Sequence, residues 1–255
     1  MDEFAAQIDL LWPAFAAGLI VLATHVPLGI QVLSRGIIFI DLAVAQVAGL
    51  GAVAAHRAGR GASPWIVQGA AAGAALLAAL LLRWSERRWP QLQEALIGLL
   101  FVLAASGTVL LLARDAHGSE HLRDLLVGQM LWVSRDQLAL AAAVSAALLA
   151  GWALLGRGGG LAFYMLFSIA VTVSVQLVGV YLVFASLIVP ALASHGMRRR
   201  LAAGFAVGAA GYAAGLLVSA WTDLPAGAAS VWMLAASGLI FAIFRSSVAP
   251  TRPLC

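Results

Sequence analysis

LAFYMLFSIAVTVSVQLVGVYLVFASLIVPALASH, residues 161–195, is a run of 35 residues without one aspartate, glutamate, lysine or arginine. A helix crosses the hydrocarbon core of a bilayer with about 20 apolar residues. The run is therefore too long for one ordinary crossing and short for two, and Gly179 is the residue at which it best divides. The same texture repeats on both sides of it. Apolar segments at 10–28, 37–56, 63–83, 92–113, 137–155, 161–178, 180–195, 201–221 and 226–244 each approach a spanning length. Turn residues stand at the other boundaries: Pro27 with Gly29, residues 59–64, Pro90, residues 156–160, and Pro225 with Gly227. The expected fold is an all-α integral membrane protein, a polytopic bundle of about eight or nine transmembrane helices. It forms a single membrane domain over residues 1–255, because no stretch is long or polar enough for a soluble domain.

Composition supports that reading. Of the 255 residues, 63% are hydrophobic and 10% charged, and the mean hydropathy is +0.98. An ordinary soluble domain is about 25% charged, so this chain cannot clothe a water-facing surface. The net charge of +4 and pI near 10.2 do not imply nucleic acid, since the basic residues lie between apolar segments and form no patch. The single cysteine, Cys255, excludes a disulfide framework and a CxxC motif. Asp2, Glu3 and Asp9, with no basic residue before the first apolar segment, read as a retained span and not a cleaved signal.

Orientation follows from the arginines, which cytoplasmic loops retain during insertion. With the N-terminus outside, Arg35, Arg83, Arg87, Arg88, Arg157, Arg198, Arg199, Arg200, Arg245 and Arg252 lie inside. Arg57, Arg60, Arg114, Arg123 and Arg135 then lie outside, together with Asp115, Glu120, Asp124, Asp136 and Asp223. An acidic outer rim attracts cations. The 26 glycines and many alanines let helices approach closely, with residues 48–55 and 70–79 reading as contact faces. A GC-rich genome accounts for the same composition, and both explanations stand.

An ionisable group at bilayer depth is costly unless it is paired or faces a protected cavity. Asp41 is such a group, in the segment Gly36-Ile-Ile-Phe-Ile-Asp-Leu-Ala-Val-Ala-Gln-Val-Ala-Gly. It reads either as part of a translocation path or as a cap or tether of the helix start, held by Arg35 or backbone groups. Gln46, five residues on, falls about 140° around the helix and shares no tight face with it. His25, before Pro27 at the expected end of the first span, offers a neutral imidazole to a transition metal or an interfacial hydrogen bond. His117, Glu120 and His121 place three potential ligands within five residues on the outer side, as a metal mouth or as a solvated loop helix. Gln176 reads as mid-span and in need of a partner, Gly179 and Pro190 as helix breaks, and His56 and His195 as interfacial. No nucleophile–base constellation and no Walker A loop is present. The chain reads as no enzyme, and any ATP hydrolysis belongs to another polypeptide.

Five segments in order resemble the permease family of ABC importers for zinc, manganese and iron, the ABC-3 family. They are His25-Val-Pro-Leu-Gly through Asp41 to Gln46, Glu94-Ala-Leu-Ile-Gly, Leu126-Val-Gly-Gln-Met-Leu-Trp-Val-Ser, Gln176-Leu-Val-Gly-Val-Tyr through Pro190-Ala, and Asp223-Leu-Pro-Ala-Gly. The resemblance implies a multi-pass permease of the bacterial inner membrane, with no permanently bound cofactor and a transported divalent metal, zinc or manganese. It also implies a homodimer, an ATP-binding cassette ATPase subunit, an extracytoplasmic metal-binding protein and surrounding membrane lipid as partners, with no nucleic acid. The metal-path candidates are Asp41, Gln46, His25, His117, Glu120 and His121. Two departures mark a divergent branch. Typical members place a histidine four residues after the aspartate, where this chain has Ala45. The usual cytoplasmic coupling stretch between the fifth and sixth spans is reduced to Gly156-Arg-Gly-Gly-Gly, leaving residues 83–90 and 195–200 as stretches able to touch an ATPase. An ATP-independent secondary transporter and a non-transporting membrane scaffold are the alternatives these departures raise.

Overall fold

The computed structural model describes residues 2–58, 63–112, 118–155 and 160–248. They form ten α-helices, with no β-strand among them: α1 Asp2–Arg35, α2 Ile40–Ala58, α3 Pro64–Arg88, α4 Gln93–Leu112, α5 Gly118–Val127, α6 Arg135–Leu155, α7 Gly160–Val178, α8 Val180–Ala193, α9 Arg200–Thr222 and α10 Ala226–Val248. Short 3-10 turns at Pro90–Leu92 and Met130–Trp132 precede α4 and α6. Every one of the nine apolar segments read from the sequence coincides with a helix. Seven helices are long and apolar enough to cross a membrane alone. The other two are α2, which carries Asp41, Gln46, His56 and Arg57, and α8, whose 14 residues extend only about 21 Å against a core of about 30 Å. Both are inner helices packed by neighbours, so protein replaces part of the lipid that a lone crossing requires.

Pro90 and Pro225 stand at helix boundaries as expected, but Pro27 and Pro190 do not end helices. Pro13 and Pro27 lie inside α1, and Pro190 lies inside α8, which continues to Ala193. In hydrocarbon a chain that leaves the helix finds no water for its backbone groups, so continuing the helix is favoured. Helix α1 stops at Gly36, whose φ of +70° allows the Ile37 amide to reach back to the Val32 carbonyl at 3.4 Å. Gly179, in contrast, is a true break. With φ +81° it separates α7 from α8 and makes two helices of the long apolar run.

Contacts sort the connections into two ends of the bundle. At one end the Arg35 guanidinium lies 4.2 Å from the centre of the Phe163 ring, Ile38 N donates to Glu94 Oε1 at 3.0 Å, and Arg245 Nη1 donates to the His195 carbonyl at 2.6 Å. Gly160 abuts the Arg83 guanidinium there, which is paired with Glu86. At the other end Arg57 donates to the Leu111 carbonyl, and a cavity of about 290 Å³ brings Arg123, Asp124 and Gln129 beside Pro225 and Gly227. The first end is the arginine-rich set assigned to the cytoplasm. Nine alternating helices, with α5 outside the alternation, produce this sorting.

Helix α1 is central, packing on α6, α7, α8 and α9. Small residues set the spacing, as expected of membrane helices. Gly51 of α2 faces Ala70 and Ala74 of α3, in the two segments expected to be contact faces. A second set was not foreseen: Gly204 and Gly208 of α9 receive Val26 and Leu22 of α1, and Gly211 and Gly215 receive Leu234 and Ser230 of α10. Gly18 of α1 leaves room for the Tyr212 ring, whose hydroxyl lies 2.7 Å from Ser186 Oγ of α8.

Candidate translocation site

Asp41 occupies the first turn of α2, just after the Gly36 turn. Its residue exposure is 1%, and neither carboxylate oxygen has a hydrogen-bond partner. No cap or tether is formed, since neither a backbone group nor Arg35, which lies over the Phe163 ring, meets the Asp41 oxygens. Turn residue Ile38 is held instead by Glu94, an acceptor the sequence reading did not assign. A buried carboxylate without a donor is unfavourable by several kcal/mol.

Gln46 lies on a different face of α2, as the 140° offset predicts. It is buried and lines a groove of about 560 Å³ with Leu42, Phe101, Leu126, Tyr181 and Trp232. The groove is walled by α2, α4, α5, α8 and α10, and Gln46 and Tyr181 are its polar members. Helix α5 packs on α8 and α4, so Glu120, exposed on α5, belongs to the helix that covers the outer part of this groove. His117 and the side chain of His121 fall outside the described residues.

His25 departs from expectation. Since α1 continues past Pro27, the histidine is in the interior of a helix and fully buried, not at an interface. Its Nδ1 is 3.0 Å from the Val21 carbonyl and 3.0 Å from Thr24 Oγ1, while Nε2 has no partner. With the proton on Nδ1 donated to Val21, Nε2 carries a free lone pair, the form of imidazole that ligates metals. Gln176 also departs: it stands in the last turn of α7 and is exposed. His56 and His195 are exposed at helix ends, as interfacial residues should be. Among the described residues no three His, Cys, Asp or Glu side chains gather closely enough to hold a metal ion. Asp41, Gln46 and His25 thus supply separate polar points at depth and not one closed cage.

The segments that carry the resemblance meet in space. Asp41's segment and Glu94 join at the inner end through Ile38. The three others join at the outer end, where Gly128 and Gly179 touch and Gly227 approaches the Val127 carbonyl. A connected framework therefore links the outer loops to the α7–α8 break.

The ABC 3 transport family profile matches residues 7–157 and 160–246. Among solved structures, the chain is similar to PsaBC from Streptococcus pneumoniae in complex with Fab, at TM-score 0.75 and 20% identity over 94% of each chain. It is also similar to a transporter assigned to the metal-chelate ABC type in an inward-facing conformation, at TM-score 0.61 and 17% identity, over 93% of this chain and 86% of that one. No curated protein matches the chain. Profile coverage, the shared fold and the helices of spanning length lead to one conclusion: this chain belongs to the ABC 3 transport family, as a multi-pass permease subunit of the bacterial inner membrane that itself performs no catalysis.

Proposed function

We propose that this chain forms the path for a divalent metal ion, zinc or manganese, in an ABC importer that works as a homodimer. The observation that carries the reading is Asp41, buried to 1% exposure with both carboxylate oxygens unpartnered inside a mainly apolar bundle. A carboxylate oxygen and an imidazole nitrogen suit zinc and manganese, whereas the Gln46 amide is a weaker ligand that selects for size and hydration. Metal is cargo here, met by successive polar groups and released, so a single closed cage is not required. The half-open groove containing Gln46 and Tyr181 becomes a path when a second copy covers it, which is the role of the dimer. Glu120, with His117 and His121, supports an electronegative outer mouth under an extracytoplasmic metal-binding protein.

Coupling to a separate ATPase uses a route other than the α6–α7 connection, where only residues 156–159 separate Leu155 from Gly160. The end of α3 suits that task. Trp84 and Trp89 pack edge to face at 5.1 Å and both are exposed. Arg88 lies 5.9 Å from the Trp89 ring centre, so the three form a firm, exposed knob at the cytoplasmic end. The test is zinc and manganese uptake by proteoliposomes holding the chain with and without its ATPase. ATP-dependent uptake of either metal supports the reading. Uptake that needs only an ion gradient establishes a secondary transporter, and no uptake under either condition establishes a scaffold.

A further inference from the structure

A second cavity, of about 570 Å³, lies at the cytoplasmic end and is lined by neither Asp41 nor the residues of the groove. Its floor is Pro27, Ile30 and Gln31 of α1, Trp152 of α6 forms one wall, and Arg198, Arg199 and Arg200 at the α8–α9 turn form the rim. We propose that this cavity holds the headgroup and upper acyl chain of an anionic phospholipid of the inner leaflet.

Charge is the first argument. Three consecutive exposed guanidinium groups stand here with no carboxylate against them among the described residues, and Arg245 approaches the same turn through the His195 carbonyl. The three arginines also sit at the start of α9, whose first turn has no acidic residue. A helix N-terminus is the positive end of the macrodipole, so cations there repel it and anions are favoured. Arg199 makes no side-chain cap. An external anion relieves both the mutual repulsion and the mismatch with the dipole.

Shape and depth identify the anion's carrier. Pro27 stands eight residues along α1 from Arg35, or about 12 Å toward the membrane interior, and Ile30, Trp152 and Leu201 give the cavity an apolar lining. Helix α6, which contributes Trp152, is the least buried of the spanning helices, with 11% of its apolar window covered by protein. The cavity therefore lies beside lipid, where an acyl chain fits. Trp at headgroup level and a basic pocket between helices on the cytoplasmic side are the elements of anionic lipid recognition.

The test uses the full chain purified with its ATPase, in nanodiscs of phosphatidylglycerol or phosphatidylcholine, with retained lipid read by native mass spectrometry. Phosphatidylglycerol is expected to remain bound in preference to phosphatidylcholine and to raise the unfolding midpoint. R198Q/R199Q/R200Q is expected to retain at least about tenfold less of it, whereas R198K/R199K/R200K, which keeps the charge, retains it. Equal retention of both lipids by the wild type overturns the proposal without recourse to a variant. So does undiminished phosphatidylglycerol on the glutamine variant, including the case in which that variant instead releases the ATPase. Equal stabilisation by inorganic phosphate alone likewise overturns a lipid as the occupant.

Discussion

Gly128 and Gly179 meet backbone to backbone: a Cβ on Gly128 would stand 2.6 Å from the Gly179 amide nitrogen, and one on Gly179 would stand 2.8 Å from the Gly128 Cα. Both have positive φ, +75° and +81°. Alanine at either position meets a left-handed backbone cost of about 1–2 kcal/mol and a backbone clash of about 1–3 kcal/mol. Gly179→Ala and Gly128→Ala are each expected to lower the unfolding midpoint of the detergent-purified chain. Combined, they should cost less than the sum, since the two positions share one contact. Strict additivity would show the contact to be unimportant.

Asp41→Asn keeps the shape of the side chain and removes its charge. Since the carboxylate is unpartnered, thermal stability is expected to hold or rise. Metal uptake should fall at least about tenfold, a loss of about 1.4 kcal/mol or more in the transport barrier, with membrane abundance unchanged. Uptake at the wild-type level would remove Asp41 from the path.

Tyr212 and Ser186 form a buried hydrogen bond at 2.7 Å between α9 and α8. Tyr212→Phe leaves the Gly18 notch filled, so its cost is the hydrogen bond alone, about 1 kcal/mol. A double-mutant cycle with Ser186→Ala should return a coupling of that size from denaturation midpoints. A coupling near zero would mean that each hydroxyl finds another partner.

Sidedness is checked chemically. In a Cys255→Ser background, a cysteine at Trp132, an exposed residue beside the outer connection, should react with an impermeant maleimide in intact cells. A cysteine at Arg87 should react only after permeabilisation. The reverse pattern would invert the topology and place the arginine-rich end outside.

Helix number and the Gly179 break were legible because hydropathy and a single glycine report directly on chain crossing and chain reversal. The ends of α1 and α8 were not, because the proline rules describe helices in water, and Pro27 and Pro190 lie where leaving the helix has no solvent to compensate it. Asp41 and Gln46 stood out as polar residues in apolar runs, and their separation on α2 followed from their spacing. The depth of His25 depended on where α1 stops, so its free Nε2 was hidden with it. Glu94 as the anchor of Ile38 joins residues 56 positions apart, and no local pattern encodes such a pairing. Its only sequence signal was membership in a segment resembling the family.

Helix α1 has 34 residues, about 51 Å of continuous helix, which exceeds the roughly 40–45 Å of a whole bilayer with its headgroups. That length is enough to reach past both headgroup layers. A tilt of about 10° would carry one tip about 9 Å sideways relative to the other. A tilt imposed at the Arg35 turn, next to Asp41, would therefore be felt at the opposite end of α1 as well.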